Sequence, residues 1–209
     1  MKEDILEQVV DDYLQAKGYF TRHNIKFRPR DSHPDFLSKK DSVPSDIDVI
    51  GLNPHYRGRD RVWVVSCKSW QSGFNVSSKL TELEGNKIRS GRESWKTFRE
   101  LMIPKWSEAF CDAVFRETGS HSFTYINAVT RFSGNRVDWE GKTKFRRALR
   151  GNRIRLLSLS EMVSEILPSI TKTPSSSDIG RTLQLLKASG VLGRRLARNK
   201  YATQLQSHG

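Results

Sequence analysis

The chain has 209 residues, with 36 Lys and Arg against 23 Asp and Glu, for a formal charge of +13. No apolar run approaches a membrane span and the N-terminus has no signal-type apolar stretch, so the sequence predicts a cytoplasmic protein with no membrane partner. Two cysteines, Cys67 and Cys111, give no sign of a disulfide scaffold, and the five histidines lack zinc-ligand spacing; the cationic excess points to a polyanion, with nucleic acid first.

Residues 3–17 read as a helix, because Ile5, Leu6, Val9, Val10, Tyr13 and Leu14 recur at three- and four-residue spacing before Gly18. Glu7 lies beside that apolar face. Residues 19–27 read as a strand and 28–45 as a polar, mobile loop near DNA. The Pro34-Asp35 pair in this loop is followed by no apolar strand, which keeps Asp35 off the sheet.

Residues 44–68 read as the two strands of a hairpin. Asp46-Ile47-Asp48-Val49-Ile50 alternates polar and apolar, and Val62, Trp63, Val64 and Val65 suit a buried strand. Side chains two apart share a strand face, so Asp46 and Asp48 are expected together, as are Ser66 and Lys68, with Cys67 opposite. Paired strands would then gather two carboxylates, a hydroxyl and an ammonium. A hard divalent cation suits such oxygens, and phosphoryl transfer suits a lysine beside it.

The stretch 69–91 is mixed; Trp70 is either core or a stacking platform, and Glu82 and Glu84 are reserve acids. Residues 93–118 read as one long helix or two, with Pro104 as the break. Residues 122–130 are a strand. Residues 142–150 are a helix carrying Lys142, Lys144, Arg146, Arg147 and Arg150, either a solvated face or a phosphate-contact surface. A last strand at 154–157 precedes a helix capped by Ser158 or Ser160. After a linker at 168–174, Ser175-Ser176-Ser177-Asp178 caps a packing helix through Ser189, and Arg194, Arg195, Arg198 and Lys200 form a basic tail.

Asp48 with Ser66-Cys67-Lys68 resembles the PD-(D/E)xK nuclease motif, the serine standing where Glu-x-Lys is usual. Glu7 on the first helix, the step Gly18-Tyr19-Phe20 and the strand ending Ala128-Val129-Thr130 are similar to Mrr-like restriction endonucleases and Holliday junction resolvase-type nucleases, over residues 3–167. The resemblance implies an α/β restriction-endonuclease-like core, a central mixed β-sheet flanked by helices, in a domain of residues 1–167. Residues 168–209 would be a basic helical C-terminal extension.

It further implies a metal-dependent DNA endonuclease using Mg²⁺, or Mn²⁺ as the alternative. Asp48, Glu7 and the backbone oxygen of Cys67 would hold the ion, with Asp46 as an extra ligand. Asp48, Lys68, Ser66 and Glu7 would carry the chemistry. Lys142, Lys144, Arg146, Arg147, Arg150, Arg194, Arg195 and Arg198 would meet DNA. Ser66 departs from the family pattern and leaves the site a carboxylate short, so Ser66→Glu would restore the family form. The rival expectation is a weakened or inactive DNA-binding or regulatory protein on the same fold. A homodimer stays open.

Overall fold

The computed structural model describes residues 4–89, 92–171, 173, 175 and 177–191. Helix α1 (Ile5–Ala16) leads into strand β1 (Phe20–Phe27), and a short helix α2 (Ser38–Asp41) interrupts the loop before β2 (Ser45–Leu52) and β3 (Val62–Lys68). Then come β4 (Phe74–Asn75), α3 (Val76–Glu84) and a small hairpin of β5 (Ile88–Arg89) with β6 (Arg92–Glu93). A 3-10 turn over Ser94–Phe98 runs into α4 (Arg99–Met102) and α5 (Pro104–Thr118). The order ends with β7 (Thr124–Val129), β8 (Phe132–Ser133), α6 (Arg136–Glu140), α7 (Thr143–Ala148), β9 (Arg153–Ser158), α8 (Leu159–Ile166) and α9 (Asp178–Ala188).

The protein is α/β: a mixed five-strand sheet in the order β1-β2-β3-β7-β9, flanked by helices. β1, β2 and β3 pair antiparallel as a meander, whereas β3, β7 and β9 run parallel and need crossovers. The β3-to-β7 crossover holds α3, α4 and α5; the β7-to-β9 crossover holds α6 and α7.

Each sheet face has its own core. On one, Val49, Val65, Ile126, Ala128 and Leu157 pack with Leu6, Val10 and Leu14 of α1 and Met162 and Ile166 of α8. On the other, Ile50, Val64, Tyr125, Ile154 and Leu156 meet Trp106, Phe110 and Val114 of α5, with Trp139 and Phe145. β3, β7 and β9 are therefore buried on both faces, which explains their near-continuous apolar runs.

The expected helix at 93–118 divides into the 3-10 turn, α4 and α5, with Pro104 at the first turn of α5, where its missing N–H costs nothing. Ser158, not Ser160, caps α8 in a reciprocal capping box with Glu161. The loop at 28–45 is pinned rather than loose. Buried Asp41 accepts from Lys105 Nζ (2.6 Å), Trp106 Nε1 (3.1 Å) and the Leu37 N–H (2.8 Å). Helix α9 docks on α1: Leu183 enters its core, and Ser177 Oγ donates to Asp12 at 2.7 Å. Arg194, Arg195 and Arg198 lie outside the described residues. Among the described residues no helix is long and apolar enough to cross a membrane.

Candidate functional site

Asp48 sits mid-strand yet has no ladder partner on either side. Toward β3, pairing runs from Leu52 opposite Val62 to Val49 opposite Val65 and stops there, although β3 continues to Lys68. Toward β1, His23 pairs with Val49 and Ile25 with Ile47, while Asn24 between them takes a left-handed conformation, φ 55°. Asparagine tolerates that region better than most residues. In the opened gap, Asp48 Oδ2 accepts the Cys67 N–H at 2.6 Å, so the side chain satisfies a donor that the ladder has released.

The kink also breaks the period of two. Ile47 joins the same core as Ile50, whereas Val49 joins the opposite one. Asp46 and Asp48 therefore do not share one regular face as expected, but they stay near enough for the charge of Asp46 to raise Asp48. Asp46 lies on the exposed rim, 2.7 Å from Lys26.

Helix α1 brings Glu7 to this gap. Gly51 lets the helix approach β2: a Cβ there would meet Tyr19 at 3.1 Å and Leu14 at 3.3 Å. At the other end, Asp4 caps α1 through the Leu6 N–H (2.9 Å) and also accepts from Ser69 Oγ, one residue past Lys68. The first turn of α1 is thereby tied to the end of β3. Burial, then the charges of Asp48, Asp4 and Asp46, push the Glu7 carboxyl up to about 7. Burial also raises Asp48, opposed by Lys68 and the Cys67 N–H. The Cys67 thiol is driven well up by burial and by Asp48 and Glu7 beside it, so it stays neutral.

Lys68 Nζ donates to Ser66 Oγ at 2.9 Å and lies 5.7 Å over the Phe98 ring. Ser66 lies beside Tyr125, whose hydroxyl donates to Glu100 Oε1. Asn127 Nδ2 reaches the Tyr125 hydroxyl at 3.2 Å, and Trp139 Nε1 donates to Asn127 Oδ1 at 2.8 Å. A polar chain therefore runs from Lys68 through Ser66 and Tyr125 to Glu100, a carboxylate only 6% exposed. Its charge is felt at Asp48, which it raises.

The sequence expectations missed Glu100. Its signal is an acid inside the aromatic stripe between Phe98 and Met102, but the 3-10 turn before α4 shifts the helical phase and hides which way it faces. The reserve acids do not reach the gap: Glu82 is buried against Lys79 at 2.8 Å, and Glu84 pairs with Lys142 on the surface.

The basic helix is shorter than expected. Lys142 is its cap residue, Arg146 Nε donates to Glu140 O at 3.1 Å, and Arg150 lies beyond its end near Asp112 at 3.4 Å. Lys144 and Arg147 line a cavity of about 460 Å³ with Leu101 and Met102.

No family model, curated protein or solved structure matches this chain. What the site can do follows from its own chemistry. Among the described residues, no group of three or more His, Cys, Asp and Glu converges as a self-sufficient metal cluster. The donor set at the gap is smaller: Asp48 and Glu7, with the Cys67 backbone beside them. Asp48 raises the Glu7 carboxyl, and Asp46 and Glu100 raise Asp48, an excess of negative charge that a hard cation offsets, so the residues present fit a divalent ion completed by water or phosphate oxygens.

Proposed function

We propose that this chain is a divalent-metal-dependent DNA endonuclease on a restriction-endonuclease-like core. The observation that carries the reading is the gap at Asp48: a carboxylate freed from its ladder, raised by burial, set against Glu7, and opposed by Lys68. The chain's cationic excess supports a nucleic-acid substrate, and the exposed Lys144, Arg146 and Arg147 on α7 suit phosphate contacts.

Asp48, Glu7 and the backbone oxygen of Cys67 are the groups that would hold Mg²⁺, or Mn²⁺ in its place. Such an ion, when bound, neutralises phosphate charge and lowers the pKa of water. The remaining work falls to the chain. Lys68 keeps one donor on Ser66 and has two more for the attacking water or a non-bridging phosphate oxygen, where its charge offsets that of the transition state. Ser66 acts by orienting Lys68, and Tyr125 with Glu100 fixes Ser66 from beneath. Asp46 is held by Lys26 at the rim and is available as an outer ligand only when that pair opens.

The test is incubation with plasmid, junction and single-stranded DNA, with and without Mg²⁺ or Mn²⁺. Asp48→Ala and Lys68→Ala are each expected to lower metal-dependent cleavage by at least about a hundredfold while leaving DNA binding largely intact. Undiminished cleavage by either variant overturns the assignment. A wild-type chain that binds DNA and never cuts it returns the reading to a binding protein on the same fold.

A further inference from the structure

Past Lys68 the chain turns through Trp70 and Gly73 into β4, and β4 pairs in parallel with β8, Phe74 with Phe132 and Asn75 with Ser133. The loop after β3 and the loop after β7 are thus joined beyond the carboxyl ends of two parallel strands, where open α/β sheets take their ligands. A cleft of about 630 Å³ lies there. That volume suits a ligand of nucleotide size and is too small for a duplex.

The cleft has an aromatic wall, with Trp70 stacked on Phe74 at 5.9 Å and 6° between planes, and Phe132 also lining it. Lys79 Nζ lies 4.5 Å over the Trp70 ring, its charge balanced by Glu82. Arg131 crosses Gly73 so closely that a Cβ at residue 73 would meet Arg131 Cγ at 2.8 Å, and Gly73 has φ +83°. Arg131 makes a long contact to Ser72 O at 3.4 Å and has no carboxylate partner among the described residues. Phe98 links cleft and site. It lies beneath Lys68 Nζ and is edge-on to Trp70 at 6.2 Å and to Phe74 at 6.3 Å.

We propose that this cleft receives one unpaired nucleobase from the DNA strand beside the scissile phosphate. The aromatic wall with Lys79 carries the base face, Asn75 and Ser78 meet its edge, and Arg131 takes the adjoining phosphate. An aromatic surface beside a cation with no carboxylate partner among the described residues suits a base and its phosphate together. An unpaired base enters without the several kcal/mol that extrusion from a duplex requires, so single-stranded or distorted DNA is the preferred form. The inference rests on the nuclease reading for the position of the strand.

The test uses the full chain and single-stranded oligonucleotides carrying 5-iododeoxyuridine at successive positions, with Ca²⁺ in place of Mg²⁺, irradiated and mapped by mass spectrometry. Cross-links are expected at Trp70 or Phe132. Ser78→Trp, which fills the cleft from an exposed helix position, is expected to cut them about tenfold. Arg131→Ala, which removes no buried contact, is expected to weaken single-strand binding by a similar factor. Cross-links elsewhere, or cross-links that neither variant changes, overturn the proposal. Cleft cross-links without metal-dependent cleavage leave the cleft standing and remove the nuclease reading. Asp48-dependent cleavage without cleft cross-links does the reverse, and absence of DNA binding overturns both.

Discussion

Ser66 stands where the resembling nucleases carry a carboxylate, and its hydroxyl already accepts from Lys68 and lies beside Tyr125. Glutamate at that position would press a second carboxylate toward Glu100, in a pocket where Ser66 is only 9% exposed. Ser66→Glu is therefore expected to lower stability by about 2 kcal/mol and to leave cleavage no better, the opposite of what the family pattern alone suggests. Ser66→Ala keeps the fold and frees Lys68, so its cleavage rate should fall about tenfold with little change in denaturation midpoint. Faster cleavage by Ser66→Glu at low metal would show that the pocket was waiting for a carboxylate. Glu7 yields a second expectation. Its folded pKa of about 7 lies above the ordinary 4.5, so the folded chain binds a proton more tightly than the unfolded one. The associated stability is complete below pH 4.5 and is lost as pH rises to about 7, on the order of 1 kcal/mol once solvent screening of this half-buried group is allowed for. In metal-free denaturation titrations, Glu7→Gln should flatten that slope, and a slope identical to wild type would place Glu7 away from the other carboxylates.

At the scale of elements, Asp41 ties the long loop after β1 to α5. Burial raises its carboxyl, but the hydrogen bonds from Lys105, Leu37 N–H and Trp106 outweigh this and leave it below the ordinary carboxylate value. Asp41→Ala leaves a buried indole N–H without its acceptor and removes the carboxylate facing Lys105, which keeps only Asp35 O at 2.7 Å, a loss of about 2 kcal/mol. Limited proteolysis should then cut near Ser38 well before the sheet unfolds, whereas unchanged protection would mean that packing alone holds α2. The same elements mark what the sequence made legible. Helix α1, the meander and the parallel strands follow from their apolar periods. Helix α3 had a readable signal in the cap Asn75 and in Val76, Leu80 and Leu83 at i, i+4 and i+7, though it lies in a stretch that otherwise looks mixed. The kink at Asp48 was not legible, because it arises from Asn24 on one neighbour and the divergence of β3 on the other. Glu100 meets the site through Tyr125 and through its charge at Asp48, contacts that join α4 to β7 and β2 across the sequence and leave no local pattern.

For the whole molecule, the question is where the charge of +13 acts. On the β1 side many cations are already matched: Arg22 with Glu117, Lys26 with Asp46 and Arg30 with Asp112. Part of the excess lies on α7 and in the tail, where Arg194, Arg195, Arg198 and Lys200 fall within residues 192–209. A chain ending at Val191 keeps α9, whose Leu183 is buried against α1 and whose Lys187 Nζ donates to Leu167 O (2.8 Å) and Ile170 O (2.7 Å). Its unfolding midpoint should match that of the full chain. If all four tail cations meet phosphates, the slope of log affinity against log salt for duplex DNA should become shallower by up to about 3.6. A chain ending at residue 167 differs in kind, because it uncovers the α1 face that Leu183 fills, and a lower unfolding midpoint is expected along with weaker binding. The two cuts separate affinity from packing. Equal salt slopes for the full chain and the chain ending at Val191 would move the electrostatic contact onto α7, where Lys144→Ala with Arg147→Ala should then produce the change that the tail did not.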